Sequence, residues 1–549
     1  MKIDKPFRAM DTSFQSYLLK YILPIAVLSF IPAIYSEVAG ITFSYLLILL
    51  ALGAICTLLV ILYPFMNMYA RNIEILHTMP LVITHLSVLS TSSLKRDQIL
   101  EKIIKRKEYG PIVEEFKRVR DLTNRMNISF SQSCRIQAKM TTSPVITDFL
   151  DRFANSSDAG ESFATFLKNE QESTFQIYEI GYTGAINLLD LTKEVYMSII
   201  ASVLFMTIMV GVLPFIQSSP ITQYVSLAIL LFVIVVISLV FGIKTVLPMD
   251  PIWVRNQKKT DIDKKIRKIA IISIPIAVFI FFLFKYLTSL PLQIDIALSF
   301  TALVYAGMYA RNEQAKIKNR DENYPTFIRA AGSTAGVIKH IGEAIERLSM
   351  HEFGNLGETL IRLNRRLKSK IRGTESPWDA FGRESGSNLI YEFTHMFSSS
   401  VEAGSDIGAV SMTLNNNFLR MQGMRAKRFQ SAAGYRWVIY GIGAAVGIVF
   451  SITFAVIFMM QDLYSSISGT AIEYLGGLFV ITAPLPEVAR AITSIIIMIT
   501  YSIAGSMVIK DAEAGRDETM LTDLAGIAWV LAAAWIVSDL LLSKALGTG

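Results

Sequence analysis

The pentapeptide MYARN occurs twice in this chain, at Met68–Asn72 and again at Met308–Asn312. In each half a long apolar stretch ends at MYARN, and the polar segments 68–195 and 310–435 follow. A match at equivalent places in two halves indicates an internal duplication. The sequence therefore predicts a membrane protein that carries two related soluble domains.

Composition excludes an ordinary soluble protein. Of 549 residues, 52% are hydrophobic and 18% are charged, whereas soluble domains contain about 25% charged residues. The two cysteines, Cys56 and Cys134, form no CxxC pair, so they suggest neither a disulfide framework nor a metal site. The net charge of +7 is typical of a membrane protein with basic cytoplasmic loops and does not indicate nucleic-acid binding.

Hydropathy predicts an all-α, polytopic membrane protein with about nine transmembrane helices, because these stretches are long enough to cross a ~30 Å hydrocarbon core. The predicted spans are residues 18–36, 43–67, 196–216, 222–247, 269–288, 291–309, 436–460, 486–509 and 524–543. The apolar segment 471–485 is too short to span, so it is either interfacial or re-entrant, or an extension of the eighth span.

These spans divide the chain into five regions, the first of which begins with an uncleaved N-terminal arm. The predicted regions are 1–67 (arm and two spans), 68–195 (helical domain 1), 196–309 (four spans around the basic loop 248–268), 310–435 (helical domain 2) and 436–549 (three spans with an extracytoplasmic segment 461–485).

The distribution of lysine and arginine predicts the orientation. The segments 68–195, 248–268 and 310–435 carry 16, 7 and 18 of them, whereas the turns at 37–42, 217–221 and 289–290 and the segment 461–485 carry none. We therefore expect the N-terminus and both large domains in the cytoplasm and the C-terminus outside. The segment 510–523, predicted inside, is the weakest indicator because it is net acidic despite Lys510 and Arg516.

The resemblance between the halves extends beyond MYARN. Placing Phe153 on Phe397 aligns FANSSDAG at Phe153–Gly160 with FSSSVEAG at Phe397–Gly404, and the same offset aligns Arg118 with Arg362. Four predicted spans separate the two copies, so this is a parallel repeat with both domains on one side. Apolar residues at helical spacing predict that both domains are helical bundles of five or six helices.

Each half carries an acid-Ala-Gly motif: Asp158-Ala159-Gly160 and Glu402-Ala403-Gly404. Alanine and glycine allow two backbones to approach closely, and an acid near a helix start is favoured by the helix dipole. One interpretation is a helix start with tight packing. The other is a contact surface for a partner.

Two basic clusters also have two interpretations each. The first, beside a span, would set topology and contact anionic lipid headgroups; it contains Lys258, Lys259, Lys264, Lys265, Arg267 and Lys268. The second, within domain 2, is either a solvated face or a docking surface for an acidic partner; it contains Arg362, Arg365, Arg366, Lys368, Lys370 and Arg372.

Gly443 and Gly447 form a GxxxG pattern that predicts close helix packing, either within the chain or between copies. Motifs for a P-loop, a zinc protease and a serine hydrolase are absent from the sequence. Lys285 and Asp295 flank one turn and could pair near the outer surface, and Asp539 lies near the outer end of the last span. We therefore expect no enzyme and no cofactor or metal.

Paired helical domains, an acid-Ala-Gly motif in each and spans after each resemble the type II secretion F superfamily, the membrane platform proteins of type IV filament machines. The stretch EAGSDIGAV at Glu402–Val410 and the extra spans are most similar to its archaeal branch, which includes FlaJ-type archaellum platforms and platforms of adhesive pili. The resemblance covers essentially the whole chain.

This resemblance implies a platform, not an engine. A hexameric cytoplasmic secretion-type ATPase would dock on the cytoplasmic domains, and its movements would drive the assembly of pilin- or archaellin-like subunits, or rotation in an archaellum. The resemblance also implies a homodimer, and the second basic cluster with the two acid-Ala-Gly motifs is the expected ATPase contact. The rival prediction is a transporter built on a parallel repeat, which would require polar sites or broken helices at mid-membrane.

Overall fold

The structure is a computed structural model that describes residues 13–25, 43–213, 221–247, 250–254, 260–288, 290–338, 340–369, 375–466 and 487–546. Within these residues the chain is helical, and its one β-type pairing is an isolated antiparallel bridge between Trp253 and Ser387. The expected all-α fold is therefore confirmed.

We number the helices in chain order. The first half contains α1 (Phe14–Tyr17), α2 (Phe43–Ser90), α3 (Arg96–Ile104), α4 (Pro111–Arg125), α5 (Phe130–Met140), α6 (Pro144–Asp158), α7 (Phe163–Val212), α8 (Ile221–Val246) and α9 (Asp261–Leu287). The second half contains α10 (Leu292–Ile338), α11 (Ile341–Leu348), α12 (Gly357–Ser369), α13 (Pro377–Ser385), α14 (Asn388–Glu402), α15 (Ile407–Ser466), α16 (Glu487–Ala512) and α17 (Met520–Leu546).

The order of elements in α2–α7 recurs in α10–α15. Each series runs from a very long helix through a short helix, a 3₁₀ turn and three further helices to another very long helix. Both ends of α14 are displaced from those of α6 by the offset that places Phe397 on Phe153, and the start of α15 is displaced equally from the start of α7. The helices that flank the two acid-Ala-Gly motifs are therefore displaced along the chain by the same number of residues as the matching sequence positions.

Eight helices within the described residues are long and apolar enough to cross a membrane. Each of them overlaps one of the eight predicted spans from 43–67 onward, so a multi-pass membrane protein is confirmed. The first predicted span, 18–36, and the segment 471–485 fall largely or wholly outside the described residues, and the count of nine stays a prediction.

Both MYARN copies lie inside helices that continue well past the predicted membrane boundary. α2 has 48 residues and α10 has 47, which at 1.5 Å per residue gives about 70 Å, more than twice the hydrocarbon thickness. The polar residues after MYARN therefore extend the spanning helix, and each soluble segment begins on the same continuous rod as a predicted span.

The chain divides into two compact units, residues 1–181 with 399–406, and residues 182–398 with 407–549. In the first unit, phenylalanine rings from α4, α6 and α7 form the soluble core: Phe153 stacks on Phe166 at 4.9 Å, and Phe116 meets Phe149 edge to face at 6.0 Å. Rings of this size, buried and offset, dominate the burial energy of such a small core.

The second unit has a soluble core and a spanning core. Aromatic side chains of α10, α13 and α15 fill the soluble core, where Phe327 lies 5.7 Å from Phe381 and Tyr324 lies 4.8 Å from Phe418. The spanning core is formed by α7, α8, α10, α15, α16 and α17 around buried residues such as Phe450 and Trp535.

Candidate functional site

The acid-Ala-Gly motifs end helices instead of starting them. Asp158 is the last residue of α6 and Glu402 is the last residue of α14, so the prediction that these acids begin a helix is wrong. The physical reason is the glycine: Gly160 and Gly404 have φ of +72° and +74°, a left-handed conformation that suits glycine just after a helix.

Both caps are Schellman motifs with the same two hydrogen bonds. In the first, the amide of Glu161 donates to Ser156 O at 3.1 Å and that of Gly160 donates to Ser157 O at 3.3 Å. In the second, the amide of Ser405 donates to Ser400 O at 3.0 Å and that of Gly404 donates to Val401 O at 3.1 Å. The motif is therefore a repeated chain reversal between two helices.

The surroundings of the two caps differ. In the first copy Asn155, Ala159 and Glu161 are exposed, and Asp158 forms an ion pair with Arg135 at 2.7 Å. In the second copy, the equivalents of Asn155 and Glu161 are buried, although Glu402 and Gly404 remain exposed and Ala403 is half-buried. These equivalents are Ser399 and Ser405.

The predicted arginine face on α12 is largely committed to contacts within the domain. Arg362 Nε lies 2.9 Å from Glu384 Oε2, and Arg366 bonds the other oxygen of the same carboxylate. Burial raises the pKa of Glu384, but hydrogen bonds from Arg366 and Arg362 lower it more, so this pKa lies below its ordinary value. The carboxylate therefore ties α12 to α13.

The rest of this basic cluster is more open. Lys368 pairs with Glu346 of α11, and Arg365 is exposed and forms no ion pair with a described residue. Lys370 and Arg372 lie outside the described residues. Arg365 is therefore the described member of the cluster whose charge is available to a partner.

The basic loop cluster lies in and before the first turns of α9. Lys264 forms an exposed pair with Asp261 at 3.4 Å, Lys265 lies 5.2 Å from the ring of Tyr309, and Arg267 and Lys268 are exposed. Lys258 and Lys259 lie outside the described residues. The described members are free of buried partners, as a headgroup-contacting surface requires.

A buried charge cluster in the second unit was missed by sequence reasoning. Arg425 of α15 donates to both carboxylate oxygens of Asp250, at 2.9 Å to Oδ2 and 2.5 Å to Oδ1, and lies 3.7 Å from Asp321 of α10. Tyr182 of α7 donates to Asp250 at 3.3 Å, and Ser387 donates to Asp321 at 2.5 Å. Arg425 therefore holds Asp250 in a bidentate pair and lies beside Asp321, and each of these two acids also accepts a hydrogen bond from another part of the chain.

Asp321 lies about 44 Å along α10 from its first residue, beyond the ~30 Å hydrocarbon core. Burial raises the pKa of Asp321 to about 6, although Arg425 and the Ser387 hydroxyl act to lower it. One weak signal for this cluster was present in the sequence, the acidic Asp250-Pro251 step directly after a span. In the sequence this step cannot be told from a topology-setting loop, because its partners on α10 and α15 lie far away along the chain.

A second charge layer explains the arginine of MYARN. Arg311 pairs with Asp523, and Arg436 lies 2.7 Å from Glu513 and 3.4 Å from Asp523. In the first unit the equivalent Arg71 lies 3.0 Å from Glu114. Each MYARN arginine therefore fastens another segment to the long helix that carries it.

The same layer gathers the segments that sequence reasoning assigned to one side of the membrane. Arg516 bonds Asp263 at the start of α9, and Arg428 donates to Asp511 O at 2.7 Å and to Ala512 O at 2.9 Å. Residues from 250–254, 260–268, 310–320, 425–436 and 510–523 thus meet at one end of the spanning helices. The net acidic 510–523 segment lies at this end, where its acids form ion pairs with Arg311 and Arg436.

Gly443 and Gly447 lie at helix crossings within the chain. A Cβ at Gly447 would be 2.6 Å from Leu531 O and 3.1 Å from Trp535 N, so the backbones of α15 and α17 touch there. A Cβ at Gly443 would be 3.1 Å from the ring of Tyr501. At the opposite end, Arg490 lies 3.4 Å from Asp539, whereas Asp295 is buried and its carboxylate accepts no hydrogen bond within the described residues.

Among the described residues, no cluster of three His, Cys, Asp or Glu side chains could hold a metal ion.

Comparisons with known proteins agree with the architecture. The family "Type II secretion system (T2SS), protein F" matches residues 82–211. "Flagella accessory protein J" of Methanocaldococcus jannaschii is 30% identical over 97% of this chain and 96% of its own length. The protein of the same name from Methanococcus voltae is 28% identical over 97% of both chains. No solved structure matches this chain.

Proposed function

We propose the mechanism below from one premise: the chain belongs to the family of the archaeal flagella accessory protein J. It is a multi-pass, all-helical membrane protein and a membrane platform of a type IV-like filament, the archaellum.

The platform docks a hexameric cytoplasmic ATPase on its soluble segments and couples the movements of that ATPase to the assembly, or rotation, of a filament of archaellin-like subunits. The observation that carries this proposal is the continuity of four helices. α2, α7, α10 and α15 have 48, 50, 47 and 60 residues and each joins a predicted span to a soluble segment without a break. Force on a soluble segment therefore reaches the membrane along a rod, with no intervening loop.

The proposed topology places the N-terminus and both soluble segments in the cytoplasm and the C-terminus outside. The charge layer at one end of the spanning helices supports it, because the lysine- and arginine-rich segments gather there. The exposed bases at the start of α9 would contact anionic lipid. The platform acts as a homodimer, which would present four soluble segments to the ATPase.

We place the ATPase contact on the exposed face of α12, around Arg365. The sequence prediction included Arg362 and Arg366 as direct contacts. Because both hold Glu384, reversing them would disturb the packing of α12 on α13 as well as any docking surface. A test of docking therefore uses Arg365 alone.

Arg365→Glu is expected to weaken capture of the filament's cytoplasmic ATPase by the purified platform about tenfold, because one interfacial attraction becomes a repulsion. Pull-down in detergent at low salt measures the effect. Arg347→Glu is the matched control, since Arg347 is an exposed arginine on the neighbouring α11 and its replacement changes the net charge equally. Capture by Arg365→Glu equal to that of the wild type would remove α12 from the docking surface.

A further inference from the structure

In the first half of the chain, the cap at Asp158-Ala159-Gly160 has an open groove beside it. The groove has a volume of about 470 Å³ and lies between the end of α6 and the start of α7. Its lining includes Asn155, Ala159 and Glu161, all exposed, and the ion pair of Arg152 with Glu170, whose Nε–Oε2 distance is 2.9 Å. It is an amphipathic, preformed surface next to a rigid helix reversal.

The equivalent surface in the second half of the chain is covered, and the structure shows what covers it. The C-terminal turns of α2 lie against residues 399–406 within the first unit. His85 Nε2 and Ser399 Oγ are 2.7 Å apart, and the Ser405 hydroxyl donates to Val88 O at 3.1 Å. At the offset that aligns the two caps, Ser399 corresponds to Asn155 and Ser405 to Glu161.

The repeat equivalent of α2 is α10, and its C-terminal turns present an exposed ridge. Arg329, Ser333 and Val337 are exposed and spaced by four residues, so they lie along one helix face. At the same offset, Arg329 and Ser333 correspond to His85 and Leu89, which are both buried. Among the described residues, the groove and the helix end are therefore covered in one half of the chain and uncovered in the other.

We propose that the groove beside Ala159 binds the C-terminal turns of α10 from a second copy of this chain. The contact would repeat between chains the packing of α2 on the second cap, and it specifies an interface for the proposed homodimer. At the offset of the two caps Arg329 corresponds to His85 and would lie against Asn155, and its longer side chain would reach the acid of Glu161 in the same groove, so the charges are complementary. Each chain offers one groove and one α10 ridge, and two chains related by a twofold axis would use both reciprocally.

Crosslinking between two differently tagged copies tests this contact. One full-length copy carries Asn155→Cys, the other carries Ser333→Cys, and both carry Cys56→Ser. Burial raises the pKa of the Cys134 thiol to about 12, so this cysteine can remain without reacting with maleimide. A short bismaleimide added to membranes is expected to join the two tags, and Met140→Cys, an exposed position on α5 outside the groove, replaces Asn155→Cys as the control.

Charge exchange supplies a second, independent readout. Glu161→Arg alone and Arg329→Glu alone should each lower the crosslinked fraction about tenfold, because each places like charges together. Co-expressing the two single variants as the two tagged copies, with Glu161→Arg in the groove copy and Arg329→Glu in the ridge copy, should restore it. Absence of the intertag product, its appearance equally with Met140→Cys, or failure of the exchange to restore it would overturn the proposal. Loss of ATPase capture would not overturn the proposal, since the contact between the groove and the α10 ridge does not depend on ATPase docking.

Discussion

Replacing Arg425 with leucine is expected to destabilise the platform by about 3–5 kcal/mol, because it leaves the buried carboxylates of Asp250 and Asp321 without their shared cation. Arg425 itself is buried, and it holds Asp250 through both carboxylate oxygens. The loss should appear as a fall in the unfolding temperature of the purified protein on the order of 3–5 °C.

The matched control for this variant is Lys264→Leu. Lys264 also pairs with an aspartate, but both side chains are largely exposed, so its loss should change stability by no more than about 1 kcal/mol. Neutralising both acids in the Arg425→Leu background, with Asp250→Asn and Asp321→Asn, should recover part of the lost stability. Equal unfolding temperatures for Arg425→Leu and Lys264→Leu would mean that the cluster contributes nothing to the fold.

Gly447→Leu is expected to have the second large effect, a destabilisation of about 3 kcal/mol or more, because there is no room for a side chain where α15 meets α17. The atoms closest to a new Cβ belong to the backbone, at 2.6 Å for Leu531 O and 3.1 Å for Trp535 N, so relief requires the two helices to separate. Thermal unfolding in detergent and the yield of folded protein measure it.

Gly441→Leu serves as the control on the same helix. A Cβ at Gly441 would meet no atom within 4 Å, so this substitution makes the same gain in helix propensity and in apolar surface without a clash. We expect Gly441→Leu to be neutral or slightly stabilising. If both variants unfold at the same temperature, the close approach of α15 and α17 is not a determinant of stability.

Hydropathy identified which helices are long and apolar enough to cross a membrane, but not where those helices end. Eight predicted spans overlap long helices, yet α2 continues past Asn72 to Ser90, and α10 continues past Asn312 to Ile338. Hydropathy falls where the chain leaves the membrane. The helix continues past that point, because helix propensity does not change there and because α2 packs against α4 and α10 packs against α11. A hydropathy boundary is therefore not a helix boundary.

The acid-Ala-Gly motif shows why local chemistry needs the conformation of the backbone. An acid followed by small residues is compatible with a helix start or with a helix end. The helix dipole favours acidic side chains near a helix start, and this argument led to the prediction of a start. The glycine at positive φ decides for the end. A Gly one residue past an apolar-periodic run was the signal available in the sequence.

The charged clusters were beyond the reach of the sequence for a different reason. No local pattern in the sequence marked the pairing of Arg425 with Asp250, of Arg436 with Glu513 or of Arg516 with Asp263, because these partners are distant in the chain. Only the fold brings Arg425 to Asp250 and Arg516 to Asp263, across 175 and 253 residues. Conversely, Arg362 and Arg366 looked available, and the fold pairs both with Glu384.

The proposed function requires both soluble segments to face the cytoplasm, and single-cysteine labelling tests this most directly. Glu101 and Glu358 are exposed residues, one in each soluble segment, and each can be replaced by cysteine in a Cys56→Ser background. We predict that a membrane-impermeant maleimide labels neither position in intact cells and both in permeabilised cells. Labelling of either position in intact cells would contradict this topology and the function built on it.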